Sequence, residues 1–147
     1  LGTRIHPRFE PEVAFLMKRP LFGVVSPTQA LAAVEAVCVA VEVIDSRYAD
    51  FTFSLADVIA DNTSAAGFAL GPWRDPSTDL SNLGMVVEVD GRVVQTGSTA
   101  AILGHPLRSL AAASRVIGEA GGQLEAGWVV LAGGATAATW IQSDTPL

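Results

Sequence analysis

The sequence predicts an α+β fold, rich in β-structure, in which a mixed, curled sheet carries helices on its outside. Apolar, β-branched runs outnumber stretches with helical spacing, and few of them alternate as strand, helix and strand. The chain has 147 residues, of which 50% are hydrophobic and 16% are charged, so it can bury the core of one domain. We therefore expect residues 1–147 to form a single domain.

The predicted helices begin at capping signals. Ser26 precedes a proline and stands three residues before Gln29, which is a capping-box pattern. Ser54 and Asp57 have the same spacing. Pro106 opens a stretch with apolar residues at helical spacing, and a pair of glycines ends it. The predicted helices cover residues 26–37, 54–60 and 106–119.

The predicted strands follow β-branched or alternating runs. Asp90-Gly91 lies between two alternating runs and predicts a tight hairpin. Glu42 lies inside a β-branched run that is typical of a strand in the sheet interior, where a carboxylate needs a partner. The predicted strands cover residues 10–17, 39–44, the two arms of 85–97, and 128–132. The glycine-rich residues 133–136 are predicted to form a loop whose backbone approaches another group closely.

The composition argues against two classes of partner. A net charge of −6, with nine basic residues, argues against nucleic-acid binding, which requires an excess of Lys and Arg. No apolar run approaches the length of a membrane span, so no membrane partner is expected. The single cysteine, Cys38, lies in an apolar run and has no disulfide partner, which favours a reducing cytoplasm.

Three glutamates on or beside apolar strands are the candidate functional residues. Glu10 and Glu12 are two residues apart, so their side chains share one face of an extended strand. Adjacent carboxylates repel unless a cation, a proton or solvent separates them, and Glu42 could complete a metal site. Oxygen ligands without Cys or His favour Mg²⁺ or Mn²⁺ over Zn²⁺. The alternative is a set of surface ion pairs with Arg4, Arg8 or Arg47.

Other polar residues have simpler interpretations. His6 and His105 each precede a proline near the edge of an element, which favours a loop or capping role over a catalytic base. We expect Arg47 to pair with Asp45 or Asp50, its neighbours in the sequence.

Four segments in order resemble a known family. They are residues 5–15 (IHPRFEPEVAF), 41–48 (VEVIDSRY), 60–64 (ADNTS) and 96–106 (TGSTAAILGHP). Together they resemble the 4-oxalocrotonate decarboxylase and 2-keto-4-pentenoate hydratase branch of the fumarylacetoacetate hydrolase superfamily. The resemblance implies a catalytic-type domain with the β-roll of that superfamily. It also implies that Glu10, Glu12 and Glu42 bind Mg²⁺.

The resemblance further implies a reaction and a set of substrate contacts. A small 2-keto acid would bind through its carboxylate and 2-oxo oxygen to the metal, near the substrate-binding residues Asp61, Thr63, Ser64 and Thr136. The favoured reaction is decarboxylation of 2-oxo-3-hexenedioate to 2-hydroxypenta-2,4-dienoate in aromatic meta-cleavage catabolism. The alternatives are the hydratase reaction and an inactive truncated subunit. Family members are longer, so the N-terminal portion and the acid-base residue are expected outside this chain. A homo-oligomer, in complex with the sister hydratase, is the implied assembly.

Overall fold

A computed structural model of the protein describes residues 4–141. In chain order the strands and helices are β1 (Arg8–Met17), α1 (Pro27–Leu31), β2 (Val34–Ile44), α2 (Leu55–Ala60), β3 (Ala65–Leu70), β4 (Gly84–Val89), β5 (Arg92–Ser98), α3 (Pro106–Glu119), β6 (Val129–Leu131) and β7 (Thr139–Trp140). Short 3₁₀ turns lie at Ala49–Phe51, Asn62–Ser64 and Thr99–Ala101. Across the described range, no helix is long and apolar enough to cross a membrane.

The main sheet is built around β1, the longest run of apolar residues near the N-terminus. Its strand order is β3-β2-β1-β6, and β7 also pairs with β1 beside β6. All of these pairings are antiparallel. Strands β4 and β5 form a separate hairpin around Asp90-Gly91, as the sequence predicts.

The two faces of the sheet have different surroundings. Phe9, Val13 and Phe15 alternate along β1 and point into the hydrophobic core, where they are buried. Residues at the intervening positions, from Arg8 through Glu10 and beyond, occupy the opposite face. The sheet therefore separates an apolar core from a face that carries charged groups.

Helix α3 packs on the core side of the sheet. Its buried residues, including Leu107 and Leu110, join the main core cluster. The helix begins where predicted because His105 Nδ1 accepts a hydrogen bond of 3.1 Å from the Leu107 N–H, and Pro106 needs no acceptor. The capping role predicted for His105 is therefore confirmed.

The helix predicted over residues 26–37 is shorter in the structure. Its capping box is present, since Ser26 and Gln29 exchange hydrogen bonds, but α1 ends at Leu31. The chain then enters β2 at Val34, five residues before the predicted strand. Pairing along nearly all of β1 outweighs the local helical preference of the alanines in this stretch.

Strand β1 pairs with both β6 and β7 along the same edge, and Pro11 lies between the two paired stretches. Strand β6 pairs with residues 14–16 and β7 with residues 8–9, which leaves an interval around Pro11. The Pro11 carbonyl accepts a hydrogen bond of 2.9 Å from the Ala135 N–H in this interval. Because proline has no N–H, a regular ladder cannot continue there. The chain forms the glycine loop, residues 133–136, instead.

The glycine loop is held from its outer side by β5. A Cβ atom added at Gly97 would lie 2.5 Å from the Ala135 carbonyl oxygen and 2.6 Å from Thr136 Cγ2. Only a glycine leaves room for the loop at this position of the hairpin. Ser109 of α3 also fixes the start of the loop, because its hydroxyl donates a hydrogen bond of 2.6 Å to the Ala132 carbonyl.

Substitution of Gly97 tests this packing. We expect Gly97→Ala to lower the free energy of unfolding by roughly 1–3 kcal/mol, because the new methyl group meets backbone and must displace the loop. Gly84→Ala in the same hairpin is the control, since a Cβ there has nothing within 4 Å. Urea unfolding of both variants measures the difference. Equal stability of the two variants would contradict the packing described.

Candidate metal centre

The register of β1 and β2 brings the three glutamates together. Glu10 lies directly opposite Glu42, and Glu12 is two residues further along β1 on the same face. One carboxylate oxygen from each of these residues lies within 4.8 Å of the other two. We call this group the carboxylate cluster. The sheet therefore unites two acids from one segment with a third acid thirty residues later.

The carboxylate cluster is removed from water to different degrees. Glu12 is only 1% exposed, whereas Glu10 and Glu42 are half-buried. Burial is the main reason that the pKa of Glu12 rises to about 7; a hydrogen bond from Gly133 opposes the rise and repulsion from Glu42 adds to it. Burial also raises the pKa of Glu10, with repulsion from Glu42 as the second cause. Burial raises the pKa of Glu42 as well, against a hydrogen bond with Glu12.

The glycine loop orients two of the carboxylates. The Gly133 N–H donates a hydrogen bond of 2.6 Å to Glu12 Oε2. A Cβ atom at Gly134 would lie 2.7 Å from Glu10 Oε2, so the backbone passes close to this carboxylate because no side chain intervenes. The predicted close approach of the loop to another group is therefore confirmed, and the groups that it approaches are the carboxylates of Glu10 and Glu12.

The alternative of surface ion pairs does not describe these glutamates. In the part of the chain that the structure describes, each candidate arginine has another contact. Arg4 donates to the Ala66 carbonyl at 3.2 Å, and Arg47 forms an ion pair of 2.9 Å with Asp61. The guanidinium of Arg8 lies over the ring of Phe51. Within residues 4–141, no ion pair therefore joins the carboxylate cluster to a basic side chain.

The donor set of the carboxylate cluster fits a hard divalent cation. Three convergent carboxylates provide oxygen ligands only, which is the chemistry that Mg²⁺ and Mn²⁺ prefer. A divalent ion favours the ionised form of every ligand, so it opposes the rise in pKa that burial causes in all three glutamates. Metal binding by Glu10, Glu12 and Glu42 stays a prediction.

The turn that contains Asp61 and Ser64 is held together by its own side chains. The Ser64 hydroxyl donates to Asp61 Oδ2 at 3.0 Å, and the Arg47 N–H donates to the same oxygen at 3.2 Å. Burial opposes ionisation of Asp61, but the hydrogen bonds and the charge of Arg47 lower its pKa overall. The expected pairing of Arg47 with Asp45 or Asp50 is therefore wrong. Asp45 accepts hydrogen bonds from the N–H groups of Ile5 and His6 instead.

The remaining predicted substrate contacts differ in exposure. Thr63 is exposed, and its hydroxyl donates to the Asn62 carbonyl at 2.8 Å. Thr136 is half-buried in the glycine loop, and its hydroxyl donates to the Ala137 carbonyl at 3.1 Å. Only Thr136 belongs to the loop that touches the carboxylate cluster. Substrate binding by Asp61, Thr63, Ser64 and Thr136 stays a prediction.

Sequence reasoning missed two features beside the carboxylate cluster. The hydrogen bond from Gly133 comes from a backbone amide far along the chain, which residue types do not reveal. The stacking of Arg8 on Phe51 and Trp140 depends on β7, a two-residue strand that no sequence pattern indicates. The position of Arg8, two residues before Glu10, was the available signal that it shares the charged face.

Comparisons with known proteins agree with this fold. The family model described as fumarylacetoacetate (FAA) hydrolase C-terminal matches residues 3–145. A 4-oxalocrotonate decarboxylase from a Pseudomonas species is 59% identical over 138 residues, which are 94% of this chain and 54% of that protein. A 2-hydroxypent-2,4-dienoate hydratase from Pseudomonas putida is 39% identical over 120 residues, which are 80% of this chain and 54% of that protein.

A solved structure shows the same fold. The 4-oxalocrotonate decarboxylase from Pseudomonas putida G7, complexed with magnesium and adipate, has a TM-score of 0.92 and 40% sequence identity. The match covers 96% of this chain and 55% of that one. It confirms the predicted β-rich α+β fold with a curled sheet and outer helices. The chain spans about half the length of the curated relatives that it matches.

The raised pKa of Glu12 predicts how stability depends on pH when no divalent cation is present. The folded-state pKa of about 7 exceeds the ordinary value of 4.5, so the folded protein retains a proton that the unfolded chain loses. The resulting stabilisation is complete below about pH 4.5 and is lost as the pH rises through 7. Urea unfolding between pH 4.5 and 8 in EDTA should show this decline.

Glu12→Gln should flatten the decline, because the amide cannot ionise. Glu35→Gln, at an exposed position of β2, controls for the loss of one formal charge. The interpretation fails if Glu35→Gln flattens the pH dependence as much as Glu12→Gln does.

Proposed function

Because this chain belongs to the fumarylacetoacetate hydrolase family, we propose that it carries the metal centre of a Mg²⁺-dependent 2-oxo-3-hexenedioate decarboxylase. The product would be 2-hydroxypenta-2,4-dienoate. The observation that carries the proposal is the convergence of Glu10, Glu12 and Glu42, in a chain 59% identical to a 4-oxalocrotonate decarboxylase. The cytoplasm, a homo-oligomer and association with the sister hydratase are parts of the same proposal.

The proposed roles follow from the geometry of the cluster. Glu10, Glu12 and Glu42, on one face of β1 and β2, would hold the ion through their carboxylate oxygens. The Gly133 N–H fixes the direction of the Glu12 carboxylate, and the absence of a side chain at Gly134 leaves room for Glu10. Mn²⁺ has the same ligand preference and is the second candidate ion.

The chemistry requires that electrons move towards the 2-oxo group of the substrate. The bond between C5 and the distal carboxylate breaks, CO₂ leaves, and the electron pair passes through the conjugated carbons to the 2-oxo oxygen. That oxygen takes up one proton from water to give the 2-hydroxy group of the product. Bound Mg²⁺ would supply Lewis-acid polarisation of that oxygen. The chain contributes the site that fixes this oxygen, with Asp61, Thr63, Ser64 and Thr136 proposed to contact the substrate.

The hydratase reaction is the competing function, since hydratases of this family are also relatives. The three decarboxylases are 43–59% identical to this chain, whereas the hydratase from Pseudomonas putida is 39% identical. Formation of the dienoate from 2-oxo-3-hexenedioate, compared with hydration of 2-hydroxypenta-2,4-dienoate, separates the two. If hydration is faster than decarboxylation, the chain belongs to a hydratase. If neither acid is turned over, the result supports an inactive subunit.

Metal binding can be tested without assuming the reaction. Calorimetric titration with Mg²⁺ and oxalate should give saturable binding, because a small dicarboxylate can complete the coordination. Glu42→Gln should weaken Mg²⁺ binding by at least about 10-fold, since one of three anionic ligands is lost. Glu35→Gln, an exposed glutamate on the same strand, should bind as the parent does. Equal Mg²⁺ affinities of the two variants would show that Glu42 is not a metal ligand.

Ser109 provides a test of the glycine loop as a positioning element. Ser109→Ala removes the hydrogen bond to the Ala132 carbonyl, next to the amide that orients Glu12, and should weaken Mg²⁺ binding by about 10-fold. Ser114→Ala on the same helix removes a similar bond of 2.9 Å to the Gly23 carbonyl, away from the cluster. Both variants should lose thermal stability, but only Ser109→Ala should lose Mg²⁺ affinity. An equal loss of Mg²⁺ affinity in Ser114→Ala would show that the effect of Ser109→Ala comes from general destabilisation of the fold.

A further inference from the structure

The guanidinium of Arg8 packs against two aromatic rings. Its guanidinium carbon lies 3.8 Å from the ring centre of Phe51 and 4.2 Å from that of Trp140. The two ring centres are 6.4 Å apart and the ring planes are inclined at 63° to each other. The guanidinium is therefore packed against two aromatic surfaces that meet at an angle, which restricts where its N–H groups can point.

One buried donor of Arg8 lacks an acceptor among the described residues. Its Nε is buried and has no hydrogen-bond partner among the described residues. No carboxylate in residues 4–141 pairs with it, although Glu10 is two positions along the same strand. An unsatisfied buried donor is costly, particularly when it is charged. The arrangement of Arg8 therefore indicates an acceptor that is not one of these side chains.

Arg8 lies in line with the carboxylate cluster. Because Arg8, Glu10 and Glu12 occupy alternate positions of β1, their side chains project from the same face. Two residues of a strand span about 6.8 Å, which is comparable with the length of a six-carbon dicarboxylate. An acid whose 2-oxo end reaches the glutamates could thus extend its other end towards Arg8.

We propose that Arg8 is a specificity-determining residue that binds the distal carboxylate of a dicarboxylic 2-oxo acid. This inference rests on the function proposed above and adds the part of the site that selects a diacid over a monoacid. The planar guanidinium edge matches a carboxylate in two parallel hydrogen bonds, and the contacts with the two rings limit the movement of the Arg8 side chain.

The competing role for Arg8 is purely structural. Phe51 has a φ of 55°, a left-handed conformation that bulky residues rarely adopt, and its contact with Arg8 helps to hold the 3₁₀ turn Ala49–Phe51. A structural role predicts that removal of Arg8 weakens the binding of every ligand together. A specificity role predicts loss for diacids alone.

The test compares two unreactive acids that differ in one group. Calorimetry with Mg²⁺ measures the affinities of 2-oxoadipate, a diacid, and 2-oxohexanoate, a monoacid of the same chain length. For Arg8→Gln we expect the 2-oxoadipate affinity to fall by about 10-fold or more, and the affinities for 2-oxohexanoate and Mg²⁺ to stay close to those of the parent. Arg8→Lys keeps the charge without the planar fork and should recover only part of the loss. Arg92→Gln, at an exposed position of β5, is the control for charge.

Each result decides between the two roles. Equal losses for both acids, or an unchanged affinity for 2-oxoadipate, would overturn the assignment of Arg8. If the parent binds Mg²⁺ but neither acid, the proposed function fails first and the assignment fails with it. A selective loss for the diacid, with unchanged Mg²⁺ binding, would establish Arg8 as the receptor of the distal carboxylate.

Discussion

Repulsion among three carboxylates is the constraint on which the rest of the site depends. The register between β1 and β2 sets Glu10 opposite Glu42, a pairing of like charges that destabilises an antiparallel sheet. Burial of Glu12 makes the repulsion stronger, because little water screens it. The surrounding fold accommodates this conflict with one backbone amide from Gly133 and an extensive apolar core on the other face. A divalent cation would bind to the same three carboxylates and offset the repulsion between them.

Local features of the fold could be predicted from the sequence, and distant ones could not. The capping boxes at Ser26 and Ser54 and the hairpin at Asp90-Gly91 depend on residues within four positions of each other, and the structure contains all of them. The predicted extent of α1 was wrong because residues from Val34 onward pair with β1 and form a strand. This pairing is a tertiary effect that local sequence does not reveal. The predicted partner of Arg47 was wrong for the same reason, since folding brings Asp61 close to Arg47.

The site was predictable to the degree that strand alternation and family resemblance could supply it. Alternation alone places Glu10 and Glu12 on one face, but only the pairing register identifies Glu42 as their neighbour. The residues that orient these acids act through backbone atoms or through stacking, and neither leaves a mark in composition. Site chemistry can therefore be inferred from side-chain types, whereas the supporting contacts require coordinates.

Pro11 has a consequence for how this chain avoids aggregation through the edge of its sheet. Among residues 4–141, the interval between β6 and β7 leaves part of one side of β1 without a strand partner, and such an open edge is where another chain can add a strand and start aggregation. The Pro11 carbonyl faces this side, so its nitrogen, which has no hydrogen to donate, faces it too. A foreign strand would find the ladder broken at this point, while the chain's own glycine loop needs only the carbonyl. One residue thus protects the sheet edge and keeps the space in which the loop reaches the glutamates.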